Sequence, residues 1–324
     1  IGGTGADILD GGDGKDKADY RYSAAAVTVN LTTGSAAGGD AEGDTFSFIE
    51  NIGGSQFNDI LSGNAENNAL YGNGGADQLF GEAGNDWMRG GAGNDTLHGG
   101  TDNDTLIGGT GADILDGGDG KDKADYRYSA AAVTVNLTTG SAAGGDAEGD
   151  TFSFIENIGG SQFDDTLSGN AENNALYGNG GADQLFGEAG NDWMRGGAGN
   201  DTLNGGTGRD TLFGEAGADT FVFDTVLDGE SNLDKISDFT ADEDKILLNN
   251  SIFSELINEG DLLTDNFHSS ASNLAADEND YILYNSSSGS LLYDADGNGS
   301  GVAVEFAQLT SRPEITVRDF MIAS

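Results

Sequence analysis

The chain has 324 residues, and its 56 Asp+Glu against 13 Lys+Arg give a formal charge of −43, so like-charge repulsion excludes nucleic acid and anionic membrane surfaces as partners. With 55 glycines, one proline and no cysteine, it is neither an ordinary globular chain nor a disulfide-stapled one. No apolar run approaches the ~20 residues of a membrane span.

The chain opens inside a repeat and without an initiator methionine, and it is read as the C-terminal part of something longer. Residues 1–106 and 107–212 are two copies of one block, differing only at Asn58/Asp164, Ile60/Thr166, His98/Asn204, Asp102/Gly208 and Asn103/Arg209. The repeating unit is clearest at Gly90-Gly91-Ala92-Gly93-Asn94-Asp95-Thr96-Leu97-His98, which fits G-G-x-G-x-D-x-U-x with U a large apolar residue. Stepping by nine, the sixth position is Asp7 and Asp16 at the start, then Asp59, Asn68, Asp77, Asp86, Asp95, Asp104, Asp113 and Asp122. In the second block it is Asp165, Asn174, Asp183, Asp192, Asp201, Asp210 and Asp219. An apolar residue follows two places later throughout: Leu61, Leu70, Leu79, Met88, Leu97, Leu106, Leu115 and Ala124, then Leu167, Leu176, Leu185, Met194, Leu203, Leu212 and Phe221. A disordered Gly/Asp linker would not keep its leucines in phase.

The pattern points to calcium. The aspartate supplies a hard anionic oxygen, and glycine supplies the positive φ that turns backbone carbonyls toward an ion. The glycines of this kind are Gly75, Gly84, Gly91, Gly93, Gly109, Gly111, Gly181, Gly190, Gly197, Gly199, Gly206, Gly208 and Gly217, all at second or fourth positions of their repeats. Six residues of turn and three of strand cannot fold alone, so the unit is expected only in a stack. Asn68 and Asn174 lack an anionic oxygen, and sites there are expected to be weak or empty.

Each block carries an insert, residues 20–53 and 126–159. Alternating patterns at Val27-Thr28-Val29-Asn30-Leu31 and Thr45-Phe46-Ser47-Phe48-Ile49 predict strands, and the insert is expected to form a wider coil of the same solenoid. Tyr20, Tyr22 and Phe46 are expected to pack against it. The repeat at Gly99 runs into that at Gly108 without a linker, so the seam between the blocks is expected inside an unbroken stack.

After Phe221 the period of nine stops, and a second domain is expected. Short strands are predicted over 220–223, 235–239, 245–248, 281–284, 291–293, 302–306 and 315–317, with a short helix possible over 251–259. Asp294-Ala295-Asp296-Gly297-Asn298-Gly299, with Glu305 at the twelfth place, has EF-hand spacing. Its flanks read as strands, so the stretch is a hairpin turn, either plain or holding an ion through Asp294, Asp296 and Asn298. The only histidines are His98 and His268, and neither H-E-x-x-H nor G-x-S-x-G occurs, so no catalytic constellation is found.

These repeats resemble the RTX (repeats-in-toxin, hemolysin-type calcium-binding) family. The resemblance implies an all-β fold, a right-handed parallel β-roll with two nonapeptides per turn, and calcium as the bound cofactor. It further implies an ion between each loop and the loop two repeats on, so that Gly91, Gly93 and Asp95 would face Gly108, Thr110 and Asp113. The region 223–324, with Asp234-x-Ile236-x-Asp238-Phe239 near its start, looks like the β domain that caps the roll in serralysin-type metalloproteases. Its last residues, Asp319-Phe320-Met321-Ile322-Ala323-Ser324, resemble the uncleaved signal read by type I secretion machinery, and are expected to be dispensable for folding. The division implied is roll block 1–106, roll block 107–222 and cap 223–324. The expected protein is an extracellular or cell-surface monomer whose calcium-binding part is a secretion and folding tail. The alternatives are the end of a secreted protease, lipase or polysaccharide-modifying enzyme, or of an adhesin.

Overall fold

The structure, a computed structural model, describes residues 2–324. The chain divides into two compact units, Ile1–Gln162 and Phe163–Ser324. Both are all-β, with 3-10 turns as the only helical elements among the described residues. None of these is long and apolar enough to cross a membrane.

In the first unit one sheet is parallel throughout: Lys17–Asp19, Asn51–Gly53, Ala69–Gly74, Trp87–Ala92, Thr105–Thr110, Lys123–Asp125 and Asn157–Gly159. The other sheet runs parallel from Thr28–Asn30 through Ile60–Ser62, Gln78–Ala83, Thr96–Thr101 and Ile114–Asp119 to Thr151–Ser153. Partners such as Leu97 and Leu115 are two repeats apart, which makes each coil two nonapeptides and the fold a parallel β-roll. The block seam falls inside the strand Thr105–Thr110, whose pairing with Trp87–Ala92 runs across it, while Lys123–Asp125 pairs with Thr105 and Leu106.

The apolar eighth positions explain why these weak strands hold together. Leu61, Leu70, Leu79, Met88, Leu97, Leu106, Leu115 and Ala124 are all fully buried. Each large side chain so buried contributes ~1.5–3 kcal/mol, and alternation sends the seventh and ninth positions to the opposite face, where Ile60 and Ile114 are exposed and Ile107 is covered. Many strands are six residues long rather than three, because the loops also pair: Gly91 with Gly109 and Ala92 with Thr110. Glycine permits that approach. A Cβ on Gly93 would collide with the Gly75 carbonyl oxygen beneath it.

The first insert continues the roll in one sheet and interrupts it in the other. Asn51–Gly53 lies between Lys17–Asp19 and Ala69–Gly74 as an ordinary parallel member. In the opposite sheet Ser35–Ala37 runs antiparallel between Thr28–Asn30 and Thr45–Ser47, and the latter resumes parallel pairing with Ile8–Asp10. Tyr20 packs inside, its hydroxyl donating to Asp44 Oδ2 at 2.8 Å, whereas Tyr22 is exposed.

In the second unit the period of nine ends at Phe221, but the pairing does not. Thr220–Phe223 is followed in register by Lys245–Asn249 and then Phe320–Ala323. Thr211–Ala216 is followed by Asp234–Ile236 and Val304–Leu309. Fully buried Phe221, Ile246 and Phe320 therefore form one column, and Leu212, Ile236 and Leu309 another. Beyond these, Ser290–Tyr293 and Ile282–Asn285 turn antiparallel. The helix expected over 251–259 is absent. That stretch is two successive turns closed by Phe253 N to Asn249 O and Leu256 N to Phe253 O, with the buried Phe253 ring edge-on to Phe306 and Tyr293. The strand expected over 315–317 is displaced to Phe320–Ala323 by a 3-10 turn, Val317–Asp319, which Thr316 caps.

The inside/outside alternation makes a direct prediction. Leu97→Ala should lower the unfolding free energy by ~2–5 kcal/mol, whereas Ile114→Ala, half exposed on the outer face, should cost under about 1 kcal/mol. Denaturant titration with calcium present checks this, and equal losses would show that the two positions do not lie on an inner and an outer face.

Candidate metal sites

The sixth-position aspartates form buried ladders. In each rung the backbone N–H of one aspartate donates to Oδ1 of the aspartate two repeats later: Asp77 to Asp95 at 2.8 Å, Asp95 to Asp113 at 2.7 Å, Asp86 to Asp104 at 2.8 Å and Asp104 to Asp122 at 2.7 Å. The second unit repeats the arrangement from Asp165 to Asp183, Asp183 to Asp201, Asp201 to Asp219 and Asp192 to Asp210, all at 2.8–2.9 Å. This bond fixes each side chain but satisfies only one of its two oxygens.

The other oxygen is where a cation fits. Oδ2 of Asp7, Asp16, Asp77, Asp86, Asp95, Asp104, Asp113, Asp122, Asp183, Asp192, Asp201, Asp210 and Asp219 is buried without a hydrogen-bond partner. A buried anionic oxygen left in that state is costly. Backbone carbonyls converge on it: Asp95 Oδ2 and the Gly108 carbonyl oxygen both crowd the space a Cβ on Gly90 would take. The same trio recurs at Gly81 with Asp86 and Gly99, and at Gly178 with Asp183 and Gly196. Among the described residues no group of three or more His, Cys, Asp or Glu side chains is placed to hold a metal. An ion here would therefore be held by carboxylates and main-chain oxygens, a hard donor set that suits calcium.

Every second- and fourth-position glycine singled out from the sequence has positive φ, from Gly206 at 88° to Gly111 at 141°. The second position does not require glycine, however. Asn73, Glu82, Asn179, Glu188 and Glu215 adopt the left-handed conformation there with φ of 72–81°, and Asp102 does so at a fourth position with φ of 77°. The register sets Gly91 against Gly109 and Ala92 against Thr110, so it is Gly90 that meets Gly108.

Burial governs the titration of these groups. It pushes Asp77, Asp86, Asp104, Asp113, Asp183, Asp192 and Asp219 up to about 7, and Asp95 and Asp122 up to about 6, against the backbone N–H each accepts. Neighbouring carboxylates raise several further, Asp95 and Asp59 acting on Asp77. Burial likewise raises Asp201 and Asp210.

Three kinds of rung are satisfied by the protein itself. Asp59 accepts from Val27 N and Ser55 Oγ on Oδ1 and from Ser55 N on Oδ2. Asn68 accepts from Asn64 N on Oδ1 and donates through Nδ2 to the Glu50 carbonyl, while Asn174 Oδ1 accepts from Asn170 N. Asp44 and Asp150 have Oδ2 occupied by the hydroxyls of Tyr20 and Tyr126. Asp165 is buried and keeps its place at the start of its ladder.

Several rungs escaped the sequence reading. Asp44 and Asp150 accept from Asp7 N and Asp113 N, and Glu50 and Glu156 from Asp16 N and Asp122 N. Asp234 and Asp244 accept from Asp210 N and Asp219 N, both at 3.0 Å. The signal was present as acid-x-apolar outside the phase of nine: Asp44-Thr45-Phe46, Glu50-Asn51-Ile52, Asp234-Lys235-Ile236 and Asp244-Lys245-Ile246. The stretch containing Asp294, Asp296 and Asn298 joins two antiparallel strands, Ser290–Tyr293 and Val304–Leu309. Asp294 is buried, Asp296 Oδ2 accepts from Gly301 N at 2.9 Å and Asn298 is exposed.

Residues 1–19, 53–88, 89–124, 159–194 and 195–225 match the family model of the RTX calcium-binding nonapeptide repeat. The chain belongs to this family of calcium-binding repeat proteins, whose repeats occur in secreted proteins. The segments left unmatched between repeats are the two inserts. Among solved structures, the chain is similar to the AlgE6R3 subunit of the Azotobacter vinelandii mannuronan C5-epimerase, at 26% identity over 49% of this chain and 78% of that one, with a TM-score of 0.18. It is also similar to the extracellular lipase LipA of Serratia marcescens, at 18% identity over 84% of this chain and 40% of that one, with a TM-score of 0.25. No curated protein matches the chain.

Two predictions come from the ladders. A carboxyl whose folded pKa of about 6–7 exceeds its unfolded value binds more protons in the folded state, so its contribution is complete below about pH 4 and lost as pH rises through 7. The calcium-stripped chain should therefore gain β-structure when acidified from pH 8 to pH 5, by circular dichroism, and a gain on going the other way would reverse the assignment. Separately, Asp95→Ala should remove about one bound calcium by calorimetry, whereas Asn174→Ala should remove none.

Proposed function

We propose that this chain is the calcium-responsive folding and secretion tail of an extracellular protein, exported unfolded by type I machinery and folded by calcium on arrival. The observation that carries this reading is the column of buried, unpartnered Oδ2 atoms along both ladders. Without a cation, those stacked carboxylates are desolvated and repel one another, and short glycine-rich coils offer little to offset the backbone entropy of ordering them. With free calcium tenfold above a site's dissociation constant, each filled site adds ~1.4 kcal/mol. In the low calcium of the cell interior that contribution vanishes, leaving the chain open for passage through a channel.

The C-terminal segment fits this reading in a modified form. Asp319 is fully buried and accepts from Asp242 N and Thr316 N, and Phe320–Ala323 is a paired strand with Phe320 and Ile322 buried. Removing residues 319–324 would thus damage the folded unit, contrary to the expectation that they are dispensable. A signal there would be legible only while the chain is unfolded, and the folded strand would then hide it. We propose no catalytic role for the histidines: His98 stacks on Phe80 and meets Asp116 on the outer face, a position Asn204 takes in the second block.

Chelating calcium at pH 8 should abolish the β-roll signal in circular dichroism, and adding calcium back should restore it. A spectrum unchanged by the chelator would sink the folding claim.

A further inference from the structure

We propose that each insert builds a calcium site of its own, in which a glutamate and the backbone carbonyl of a left-handed phenylalanine replace the aspartate and first glycine of a nonapeptide loop. The residues are Glu156 and Phe154 with Asp122, and Glu50 and Phe48 with Asp16. The inference rests on the calcium reading above but concerns residues outside the nonapeptide pattern.

The spacing shows what the insert has changed. Ladder acids in the repeats are nine residues apart, whereas Asp150 and Glu156 are six apart, as are Asp44 and Glu50. The turn between Thr151–Ser153 and Asn157–Gly159 is therefore shorter than a repeat loop and contains no glycine. Glutamate, longer by one methylene, still reaches the ladder: Glu156 Oε2 accepts from Asp122 N at 2.9 Å, much as Asp122 Oδ1 accepts from Asp104 N at 2.7 Å. The backbone is locked alongside, with Glu156 N and Asn157 N both donating to the Asp122 carbonyl.

Phe154 places its carbonyl where a first-position glycine places its own, but through a left-handed backbone that those glycines do not adopt. Its φ is 52°, unfavourable for a bulky side chain, and its ring is 68% exposed, so packing does not account for the conformation. Its carbonyl does. One coil earlier, Asp104 Oδ2 and the Gly117 carbonyl oxygen crowd the Cβ position of Gly99. At Gly117 the same position is crowded by Asp122 Oδ2 and the Phe154 carbonyl oxygen. Asp122 is fully buried, and its Oδ2 has no hydrogen-bond partner. The first insert repeats the arrangement: Phe48 has a φ of 53°, its carbonyl lies against Gly11 beside Asp16, and Glu50 Oε2 accepts from Asp16 N at 2.8 Å.

The opposite edge of each insert serves as an internal contrast. There Tyr126 and Tyr20 hydroxyls fill the second oxygens of Asp150 and Asp44. Each insert is thus closed by a hydroxyl in one sheet and by an ion in the other.

The test is calcium titration of the full chain by calorimetry and native mass spectrometry. Glu50→Gln/Glu156→Gln keeps an acceptor for the ladder N–H but removes the charge at both sites. It should bind two fewer ions, or bind two at least tenfold more weakly, while retaining the β-roll spectrum at saturating calcium. Phe154→Gly keeps the carbonyl and favours the left-handed φ, so it should retain the full ion count, and it covers the case in which the double variant folds poorly. Unchanged stoichiometry and affinity in the double variant, or loss of an ion in a folded Phe154→Gly, would overturn the insert site. No calcium uptake by the unaltered chain would instead overturn the reading on which it rests.

Discussion

A carboxylate buried with one oxygen bonded and the other not is the constraint on which this fold depends. The bonded oxygen takes a backbone N–H from the coil before it, as Asp113 does from Asp95, and so sets the spacing of the stack. The second oxygen is left facing main-chain carbonyls, which carry partial negative charge of their own. That arrangement is unstable unless a proton or a cation enters it. The protein therefore places its own folding under the control of whatever fills those positions.

The remaining features of the coil follow from that placement. Loops can converge on one point only if their backbones approach closely, and the collision a Cβ would suffer at Gly93 explains the fourth-position glycine. The second position makes a weaker demand. It needs the left-handed conformation, which Asn73 and Glu82 also supply. Leucines at the eighth position provide the nonpolar interior, but the columns are narrow and each strand is short, so burial alone leaves the fold marginal. Where the ladder must pass an irregular coil, Ser55, Tyr20 and Tyr126 saturate the second oxygen with protein donors.

Much of this was legible in the sequence because the nonapeptide ties chemistry to phase. Asp95 and Leu97 are two residues apart, so identifying one as a ligand fixes the other as core, and every such leucine is buried. The positions of Gly91 and Gly93 were legible for the same reason. Legibility failed where the same rung was built on a different loop. Asp44, Glu50, Asp234 and Asp244 occupy ladder positions at separations of 37, 34, 24 and 25 residues from their partners, which no fixed period detects. The composition changes after Phe221, yet Ile246 and Phe320 continue its column, because strand pairing tolerates any loop that returns in register. Asp59 carries the same nonapeptide signature as the other ladder aspartates, and the period alone does not show that Val27 and Ser55 donate to its oxygens.

The central claim, that calcium occupies the positions where Oδ2 lacks a protein partner, is tested most directly by anomalous scattering from crystals grown in calcium. The account predicts peaks beside Oδ2 of Asp77, Asp86, Asp95, Asp104, Asp183 and Asp192, and none at Asn68, Asn174 or Asp150, whose polar atoms are already engaged. Peaks of equal height at Asn68 and Asp150, or a bare Asp95 in saturating calcium, would contradict it.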